Sequence, residues 1–425
     1  MNQTINPGTF YGTIHIPSSK SMTHRELIAA ALAKGESIVK GVSNSQDIEA
    51  TIRILSLMGA TFTSKKETDG TFTFHISGGL SKQGTLLEAD AGESGSTLRF
   101  MIPLGLISGH TVRYVGHGRL AERPLTPYYK LFDSKHISYE TKGGLPLTVQ
   151  GRLKGGFYEL PGDVSSQFFT GLLFALPLAH SDSILQSTTT LESKSYVDLT
   201  LDTLNRHGIH VVEKSPEWYE IPGNQEYTCG TFTVEGDYSQ AAFWLVAGLV
   251  GGRITCNGLS RASKQGDQVI VSILKAMGGK LIDGKEGITA EKSSTHGTVI
   301  DAEDCPDLVP VLSALAAVSQ GRTEIIHAGR VRLKECDRLH AMAVELTKLG
   351  AHIEENPEGL VIDGVNQLTG GTVSSWNDHR IAMALAVISP KCTGPLTIEG
   401  AESVRKSYPT FWNDFEKVNV DKEEI

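Results

Sequence analysis

Residues 94–115 read SGSTLRFMIPLGLISGHTVRYV, and this stretch decides the fold. A small polar cluster is followed by an apolar run of helical length, then by Gly109 and a short run rich in β-forming residues. This order predicts a helix that begins near Ser94, ends at Gly109 and leads directly into a strand. The same order recurs five more times, with starts near residues 19, 165, 238, 306 and 377.

The spacing of these starts indicates an internal repeat. Successive starts differ by 75, 71, 73, 68 and 71 positions, and six units of about 71 residues account for the 425-residue chain. A second helix-to-strand phrase alternates with the first and carries glycine after the last helical turn, at residues 52–63, 201–212, 271–282 and 342–353. Each unit therefore predicts two helices and several strands, in a βαβαβ-like order with an extra strand. The alternative is a coincidence of ordinary α/β alternation.

The composition of the chain limits the classes of function that it can have. The chain is 40% apolar and 20% charged, and its 39 basic and 48 acidic side chains give a net charge of −9. A chain of this length is expected to form two or three domains, and its acidic balance argues against a nucleic-acid partner. A small anionic ligand stays compatible, because it needs only a local positive pocket.

Other features exclude membrane and metal classes. The sequence contains no apolar run long enough for a transmembrane helix, and residues 1–13 lack the layout of a signal peptide. The five cysteines are scattered, and none forms a C-x-x-C pair. We therefore expect a cytoplasmic protein without metal or cofactor, and without a membrane partner. The charged residues 420–425 are expected to fray.

Three of the six repeat helices carry cations at their starts. Lys20, His24 and Arg25 lie in the first unit, Arg99 in the second and Arg380 in the sixth. Positive side chains oppose the helix dipole there, and the neighbouring capping residues do not explain them. A bound anion would, because free N–H groups, dipole and cation all attract it. The alternative, solvated surface cations, fits one such site better than a recurring pattern. No standard nucleotide-binding loop is present.

Eight phrases extend this pattern along the chain. They are SKSMTHR at 19–25, GSTLR at 95–99, ERPL at 122–125, LPGDVSSQ at 160–167, PD at 306–307, KECDRL at 334–339, NDHR at 377–380 and KSYP at 406–409. Together, in this order, they resemble the 5-enolpyruvylshikimate-3-phosphate synthase family, the 3-phosphoshikimate 1-carboxyvinyltransferases. The resemblance covers residues 12–415.

The resemblance implies a fold. The family has two similar α/β domains, each made of three copies of a βαβαββ-like unit in an inside-out α/β barrel, with the active site in the interdomain cleft. Two chain crossings, near residues 18–20 and 236–239, would give one domain of residues 19–236 and another of residues 1–18 plus 237–425. Members of the family are usually monomers.

The resemblance also implies substrates, namely shikimate 3-phosphate and phosphoenolpyruvate, which react with release of phosphate. Shikimate 3-phosphate would be bound by Lys20, Ser21, Arg25, Ser165, Ser166, Gln167, Ser193, Tyr196, Asp307 and Lys334. Phosphoenolpyruvate would be bound by Lys20, Gly95, Arg99, Arg123, Gln167, Arg338, Arg380 and Lys406. Taken without the resemblance, Ser165 and Ser166 fit a helix cap equally well.

Proton transfer needs an acid and a base, and the resemblance offers Asp307 and Glu335, with Lys20 beside them. We expect Glu335 to serve C3 of phosphoenolpyruvate, Asp307 to serve the 5-hydroxyl of shikimate 3-phosphate, and Lys334 to stabilise charge. The plain alternatives are an N-terminal helix charge for Asp307 and a helical ion pair for Glu335. Adjacent cations would lower the pKa of Glu335, and a bound anion would offset them.

Three positions depart from the common family pattern. Ser18 stands where glycine is frequent, Glu93 where asparagine is common and Phe100 where proline often appears. Two other functions are compatible with this scaffold. The sister enolpyruvyl transferase acting on UDP-N-acetylglucosamine usually has a reactive cysteine or an aspartate in a mobile loop, and residues 110–124 contain no cysteine. A non-catalytic anion-binding protein on the same scaffold would not need both Asp307 and Glu335.

Overall fold

The computed structural model describes residues 1–80 and 86–420 and divides into two compact domains. The continuous domain is Lys20–Val234, and the split domain is Met1–Ser19 together with Glu235–Ile425. Val420 pairs with Thr9 in a short strand, so the frayed end expected from residue 420 does not include it. The rest of that predicted segment, residues 421–425, lies outside the described residues.

The chain opens with two strands of the split domain and then runs through the continuous domain. The opening strands are β1 (Asn2–Ile5) and β2 (Thr9–His15). The helices of the continuous domain are α1 (Lys20–Leu32), α2 (Gln46–Leu57), α3 (Gly95–Ser108), α4 (Thr126–Lys135), α5 (Gln167–Ala175) and α6 (Lys194–Arg206). Its strands are β3 (Gly35–Val42), β4 (Thr61–Lys66), β5 (Phe72–Gly78), β6 (Leu86–Asp90), β7 (Thr111–Val115), β8 (Ser138–Thr141), β9 (Leu147–Gln150), β10 (Phe157–Leu160), β11 (Ser183–Ser187), β12 (Val212–Ser215), β13 (Trp218–Ile221) and β14 (Thr231–Thr233).

The chain then returns to the split domain. Its helices are α7 (Tyr238–Gly251), α8 (Ile270–Ala276), α9 (Val309–Ala316), α10 (Arg338–Lys348), α11 (His379–Val387) and α12 (Phe411–Val418). Its strands are β15 (Gly252–Asn257), β16 (Lys280–Asp283), β17 (Ile288–Glu291), β18 (Val299–Asp301), β19 (Arg322–Ile326), β20 (His352–Asn356), β21 (Gly359–Asp363), β22 (Gly371–Ser374), β23 (Leu396–Glu399) and β24 (Asn419–Val420). Short 3-10 turns include Gly266–Val269, Pro306–Leu308 and Gly329–Leu333.

Each sheet of the continuous domain has the same strand order. The orders are β14-β3-β5-β4, β6-β7-β9-β8 and β10-β11-β13-β12. In every case the first pair is parallel and the other two pairs are antiparallel. In the second and third sheets a helix connects the parallel pair and a second helix leads to the antiparallel hairpin, so the βαβαββ unit is confirmed. In the first sheet, the returning chain supplies the parallel strand β14.

The split domain repeats this arrangement with changes at its ends. Its sheets have the orders β16-β17-β15-β2-β24, β18-β19-β21-β20 and β1-β23-β22. The parallel pairs are β2 with β15, β18 with β19, and β22 with β23. The chain termini complete two of these sheets, because β1 pairs with β23 and β24 pairs with β2.

Buried helices form the centre of each domain. Every residue of α7, α9 and α11 is buried, and α3 and α5 are almost entirely so. A helix that is apolar all round has to be enclosed: α7, α9 and α11 contact strands of the split domain, and α3 packs against α5 and β7. The second helices of the repeats, such as α2 and α10, bury only one face. Each domain has its own apolar core.

The helix boundaries follow the predicted glycines and caps. Gly59, Gly208, Gly278 and Gly350 follow α2, α6, α8 and α10 with φ of 114°, 76°, 84° and 93°. The left-handed region favours glycine, so these residues end the second helix of each unit as predicted. The predicted start at residue 306 is a 3-10 turn, and the α-helix itself begins at Val309. None of the helices in the described parts of the chain has the length and apolar character needed to cross a membrane.

Candidate active site

Helix starts at the carboxyl ends of parallel strands hold most of the predicted residues. In the continuous domain α3 follows β6 and α5 follows β10, and each helix leads to a strand parallel to the first. Their N-termini therefore lie at the carboxyl edges of these sheets, where α/β proteins usually bind ligands. Unpaired N–H groups and the positive end of the helix dipole favour an anion there.

The starts of α3 and α5 bring four predicted residues together. Arg99 Nη1 donates to Gln167 Oε1 at 2.6 Å, and Gln167 Nε2 donates to Ser96 Oγ at 2.8 Å. A Cβ atom on Gly95 would lie 2.6 Å from Arg123 Nη1 and 3.2 Å from Arg99 Nη1. Both arginines are buried, so the reading as solvated surface cations is wrong for them.

Lys20 begins α1 and forms an ion pair. Its Nζ lies 2.8 Å from Asp47 Oδ2, and both side chains are largely buried. Asp47 was not among the predicted site residues. It is the second residue of α2, behind the capping residue Ser45. An acidic residue at that position is an ordinary helix-start feature, so no sequence pattern predicted its contact with Lys20.

Arg25 makes three hydrogen bonds within the continuous domain. Its Nη1 donates to the carbonyl oxygen of Ser21 at 2.6 Å, its Nη2 to that of Tyr196 at 2.8 Å, and its Nε to Thr200 Oγ1 at 2.9 Å. Burial lowers the pKa of Arg25 to about 10. Arg25 and its neighbour His24 lie in the second turn of α1. The sequence pattern predicted them at the helix start, and that prediction was wrong by one turn.

Three of the predicted serines, Ser165, Ser166 and Ser193, lie at the starts of α5 and α6, which pack against each other. Ser165 Oγ accepts a hydrogen bond from the backbone N–H of Gln167 at 3.3 Å, as expected for a cap. Ser166 precedes α5 without a side-chain capping bond. Ser193 precedes α6 with a φ of 54°, a left-handed conformation that is uncommon for serine. Strained backbone of this kind often accompanies functional positions.

In the split domain, Asp307 joins two arginines. Its Oδ1 lies 2.8 Å from Arg338 Nη1 and its Oδ2 lies 2.8 Å from Arg380 Nη2. Burial opposes ionisation of Asp307, but Arg380, Lys334 and Arg338 outweigh it and hold its pKa well below the usual range. Asp307 is therefore an anion at neutral pH, and its role exceeds that of a plain helix-start charge.

Arg338 is surrounded by three carboxylates. Besides Asp307, its Nη2 donates to Glu335 Oε2 at 2.7 Å and its Nε to Asp378 Oδ2 at 2.8 Å. Asp378 also caps α11 by accepting from the backbone N–H of Arg380 at 2.8 Å. The capping role of Asp378 agrees with its position beside a predicted helix start. Its contact with Arg338 was not predicted. The two residues are 40 positions apart, and no local pattern connects them.

Two predicted lysines of the split domain have different partners. Lys334 Nζ lies 3.7 Å from Asp307 Oδ1, and burial lowers the pKa of Lys334 to about 8, although Asp307 opposes this shift. Lys334 can therefore exchange a proton close to neutral pH. Lys406 is buried, and its Nζ donates to the carbonyl oxygen of Asn377 at 2.7 Å. The structure thus brings Asp307, Lys334, Glu335, Arg338 and Arg380 into one cluster.

The three departures from the family pattern have different surroundings. Phe100 is buried, and the Arg25 guanidinium lies 5.5 Å from its ring centroid, so it supports a site residue through a cation–π contact. A Cβ atom on Gly118 would lie 2.7 Å from a carboxylate oxygen of Glu93, so this side chain lies against the 3-10 turn Gly118–Glu122. Ser18 forms an isolated antiparallel bridge with Gly236.

One group of side chains has the geometry of a metal site. Asp301, Glu303 and His327 place ligand atoms within 4.8 Å of one another, and the group lies near the surface. His327 Nδ1 lies 3.0 Å from Asp301 Oδ2, and this hydrogen bond raises the pKa of the imidazole. The carboxylate thus favours a protonated ring, whereas a metal ion requires a neutral one.

Each three-repeat α/β domain holds a group of buried arginines, some of them at helix starts, and this arrangement is typical of proteins that bind small anions. The sequence model of EPSP synthase (3-phosphoshikimate 1-carboxyvinyltransferase) matches residues 5–415. The chain belongs to this family.

Relatives match over nearly the full length. The chain is 48% identical to a 3-phosphoshikimate 1-carboxyvinyltransferase of Clostridium acetobutylicum and 50% identical to one of Clostridium kluyveri, covering 99% of this chain and 98% of each relative. An EPSP synthase structure from Acinetobacter baumannii has a TM-score of 0.81 at 26% identity, covering 99% of this chain and 98% of the other. The predicted two-domain α/β fold is confirmed, and the UDP-N-acetylglucosamine alternative is not favoured.

Proposed function

We propose that this member of the EPSP synthase family carries out enolpyruvyl transfer with the two clusters described above. The substrates are phosphoenolpyruvate and shikimate 3-phosphate, and the products are the enolpyruvyl ether and phosphate. The observation that carries the assignment is the cluster of Asp307, Glu335, Arg338 and Arg380. It combines guanidinium groups for anions with two carboxylates for proton transfer.

Phosphoenolpyruvate is assigned to the arginines. Its carboxylate and phosphate suit the paired N–H groups of guanidinium, which bind planar oxyanions in two contacts. Arg338 and Arg380 of the split domain and Arg99 and Arg123 of the continuous domain supply these groups. Their burial strengthens the attraction, because charges interact more strongly away from water. Lys20, Gly95, Gln167 and Lys406 complete this set.

Shikimate 3-phosphate is assigned to the serine-rich helix starts. Ser165, Ser166 and Ser193 offer hydroxyl and backbone donors to its phosphate, with Lys20 as the cation. Ser21, Gln167, Tyr196, Asp307 and Lys334 complete the proposed contacts. Arg25 is assigned to the shikimate ring and its carboxylate. Its hydrogen bonds to Ser21, Tyr196 and Thr200 fix the orientation of the guanidinium group.

The reaction is an addition followed by an elimination. The 5-hydroxyl oxygen attacks C2 of phosphoenolpyruvate and loses its proton, while C3 gains one. The adduct then expels phosphate, and C3 gives up a proton to restore the double bond. We assign Glu335 to C3, Asp307 to the hydroxyl and Lys334 to charge stabilisation. Asp307 is a weak base while two arginines hold it, and bound substrate anions offset those arginines and raise its basicity.

The remaining proposals concern the location, the oligomeric state and the cofactor requirement of the enzyme. We propose that it acts in the cytoplasm as a monomer and needs no cofactor. The chemistry consists of proton transfers and carbon–oxygen bond changes, and the side chains named above supply the required groups. Size-exclusion chromatography with light scattering tests the monomer, and a concentration-dependent dimer would contradict it.

Phosphate release tests the assignment directly. The purified chain is mixed with shikimate 3-phosphate and phosphoenolpyruvate, and inorganic phosphate is measured over time. We expect release that requires both substrates, and a Glu335→Gln variant that is at least about 100-fold slower, as loss of a proton-transfer group implies. Glu416→Gln changes an exposed residue of α12 and serves as the matched control. An inactive wild type contradicts the function, whereas an active Glu335→Gln variant contradicts only the role of Glu335.

A further inference from the structure

Four buried side chains of the continuous domain form a hydrogen-bond chain that the proposed mechanism does not use. His24 Nδ1 lies 2.8 Å from Thr51 Oγ1, and Thr51 Oγ1 lies 2.8 Å from Thr97 Oγ1. Thr97 Oγ1 in turn donates to Ser94 Oγ at 2.8 Å. None of the four residues is more than 2% exposed. This series, called the threonine chain below, joins α1, α2 and the start of α3.

The direction of these hydrogen bonds determines which nitrogen of His24 carries a proton. The Thr97 hydroxyl has one proton, and it donates to Ser94 Oγ or to the carbonyl oxygen of Asp47 at 3.3 Å. Thr51 must therefore donate to Thr97. Because the Thr51 hydroxyl also has one proton, it accepts from His24, and the proton of the ring lies on Nδ1.

The surroundings of His24 agree with a neutral ring that is protonated on Nδ1. Burial holds the pKa of His24 well below its usual range, and the charges of Lys20 and Arg25 act in the same direction. His24 Nε2 is buried and has no hydrogen-bond partner among residues 1–80 and 86–420. The ring is thus held through Nδ1, at one end of the threonine chain.

Thr97 connects the threonine chain to two proposed binding residues. Ser94 Oγ accepts from the backbone N–H of Thr97 at 3.2 Å and caps α3, the helix that carries Arg99. The carbonyl oxygen of Asp47 accepts from Thr97 Oγ1, and the carboxylate of Asp47 lies 2.8 Å from Lys20 Nζ. A buried polar network favours one arrangement of its helices, because a shift leaves a donor or an acceptor unpaired. The chain therefore fixes the start of α3 relative to the residue that holds Lys20.

We propose that His24, Thr51 and Thr97 are positioning residues, which hold Lys20 and Arg99 in the geometry that binds phosphoenolpyruvate. Binding groups keep their geometry only when neighbouring side chains fix them, and the threonine chain supplies this support. The proposal rests on the assignment of Lys20 and Arg99 to phosphoenolpyruvate. Loss of the Thr97 hydroxyl allows the start of α3 to shift, so affinity for phosphoenolpyruvate falls while the chemical step changes little.

The test compares two replacements of Thr97. Thr97→Val removes the hydroxyl at nearly constant volume, whereas Thr97→Ser keeps it. We expect Thr97→Val to raise the KM for phosphoenolpyruvate on the order of tenfold, the effect of one buried hydrogen bond, with kcat within about threefold. Thr97→Ser should keep the KM within about threefold of the wild type, because its hydroxyl can still donate. An unchanged KM in the valine variant, or an equal rise in both variants, would overturn the proposal.

A matched control removes a buried hydroxyl pair in the other domain. Thr295 Oγ1 lies 2.7 Å from Ser319 Oγ in the split domain, and both residues are buried. Thr295→Val should keep the wild-type KM for phosphoenolpyruvate, although it also loses a buried hydrogen bond. An equal rise in KM for Thr295→Val and Thr97→Val would indicate a general loss of stability and overturn the positioning role.

A double variant tests whether Thr51 acts through Thr97. Thr51→Val combined with Thr97→Val should have nearly the KM of Thr97→Val alone, because both changes break the same chain. Effects on KM that multiply would show that the two hydroxyls act independently, and the proposal would fall.

Nitrogen-15 NMR of protein labelled at histidine examines the ring without a need for activity. The signals that are lost in His24→Gln belong to His24, and we expect a protonated Nδ1 and an unprotonated Nε2 in the wild type. Thr51→Val should shift the Nδ1 resonance, because that nitrogen loses its hydrogen-bond partner. A wild-type ring protonated on Nε2, or an Nδ1 resonance that does not shift, overturns the proposal.

The proposal and the functional assignment fail in different ways. If Arg99→Gln leaves the KM for phosphoenolpyruvate unchanged, the assignment of Arg99 is wrong and the proposal falls with it. If Arg99→Gln raises the KM but Thr97→Val keeps the wild-type value, only the role of the threonine chain is wrong.

Discussion

At the residue scale, the site is a balance of buried charges. Arg338, with 1% of its side chain exposed, contacts Asp307, Glu335 and Asp378. A buried charge is tolerated only when opposite charges and hydrogen bonds replace water, and this group supplies both. The motif at 334–339 identified Glu335 and Arg338 from the sequence. It could not identify Asp378 as their neighbour, because folding alone brings together residues 40 positions apart.

Replacing Asp307 by asparagine should destabilise the protein in a pH-dependent way. The native pKa of Asp307 is depressed, so its ionisation stabilises the fold above the unfolded pKa of about 4, and this contribution is lost as the pH falls through the native value. We expect Asp307→Asn to lower the free energy of unfolding by roughly 3 kcal/mol at pH 7, as for other broken buried pairs, and by about 1 kcal/mol less at pH 3, which lies about one unit below the unfolded pKa.

Urea unfolding at the two pH values measures this difference. Asp363→Asn is the matched control, because Asp363 forms an exposed ion pair with Arg322 at 2.9 Å. Solvent screens that pair, so its loss should change stability far less at either pH. A loss of stability that is equal at pH 7 and pH 3 for Asp307→Asn would show that Asp307 acts through its shape and not its charge.

Gly95 is the second residue-scale prediction. A Cβ atom at this position would lie 2.6 Å from Arg123 Nη1 and 3.2 Å from Arg99 Nη1, so alanine must displace both guanidinium groups. We expect Gly95→Ala to raise the KM for phosphoenolpyruvate severalfold while kcat falls less, because the change acts on ligand binding. Steady-state kinetics measure both constants. Gly394→Ala is the control, since its nearest neighbour would be 3.8 Å away; an equal effect in both variants would contradict the steric argument.

At the element scale, the two helices of each repeat differ in burial and in how they end. The first helix of each repeat is largely buried, whereas the second buries only one face, and glycine follows the second helix in four of the six repeats. Apolar runs and C-terminal glycines predicted both kinds from the sequence. The exact start of α9 was not predicted, because Pro306 permits a 3-10 turn as readily as an α-helical one.

The glycine after α10 offers a clean test of this pattern. Gly350 has a φ of 93°, and an added Cβ atom would meet no neighbour within 4 Å. The cost of Gly350→Ala is therefore conformational, and we expect it to lower the free energy of unfolding by about 1–2 kcal/mol. Gly350→Asn should lose less, since asparagine tolerates this conformation better. Thermal and urea unfolding measure the series, and an unchanged stability for alanine would contradict the left-handed cap.

At the scale of the whole molecule, six similar sheets arise from one repeated pattern. Chain crossings modify it, since β14 returns to pair with β3 across nearly 200 positions and β2 pairs with β15. Each domain encloses a separate apolar core. Because a domain with its own core can fold by itself, we expect the fragment 20–234 to fold alone.

Shortening this fragment tests the role of the returning strand. A fragment ending at residue 229 lacks β14 and the buried Val234, which leaves β3 as an unpaired edge. We expect fragment 20–234 to unfold cooperatively by circular dichroism and the shorter fragment to melt several degrees lower or to aggregate. If both melt at the same temperature, β14 contributes little and the domain is complete without the crossing.

The sequence by itself determined the repeat, the element order and the identity of most proposed site residues. These properties are local, because helix length, capping residues, glycine positions and short motifs depend on residues close together in the sequence. The tertiary structure alone decided the charge partners, namely Asp47 for Lys20 and Asp378 for Arg338. Those contacts, and the pKa values that follow from them, depend on burial and on distances between segments far apart in the chain. Only packing of the helices and sheets sets these quantities.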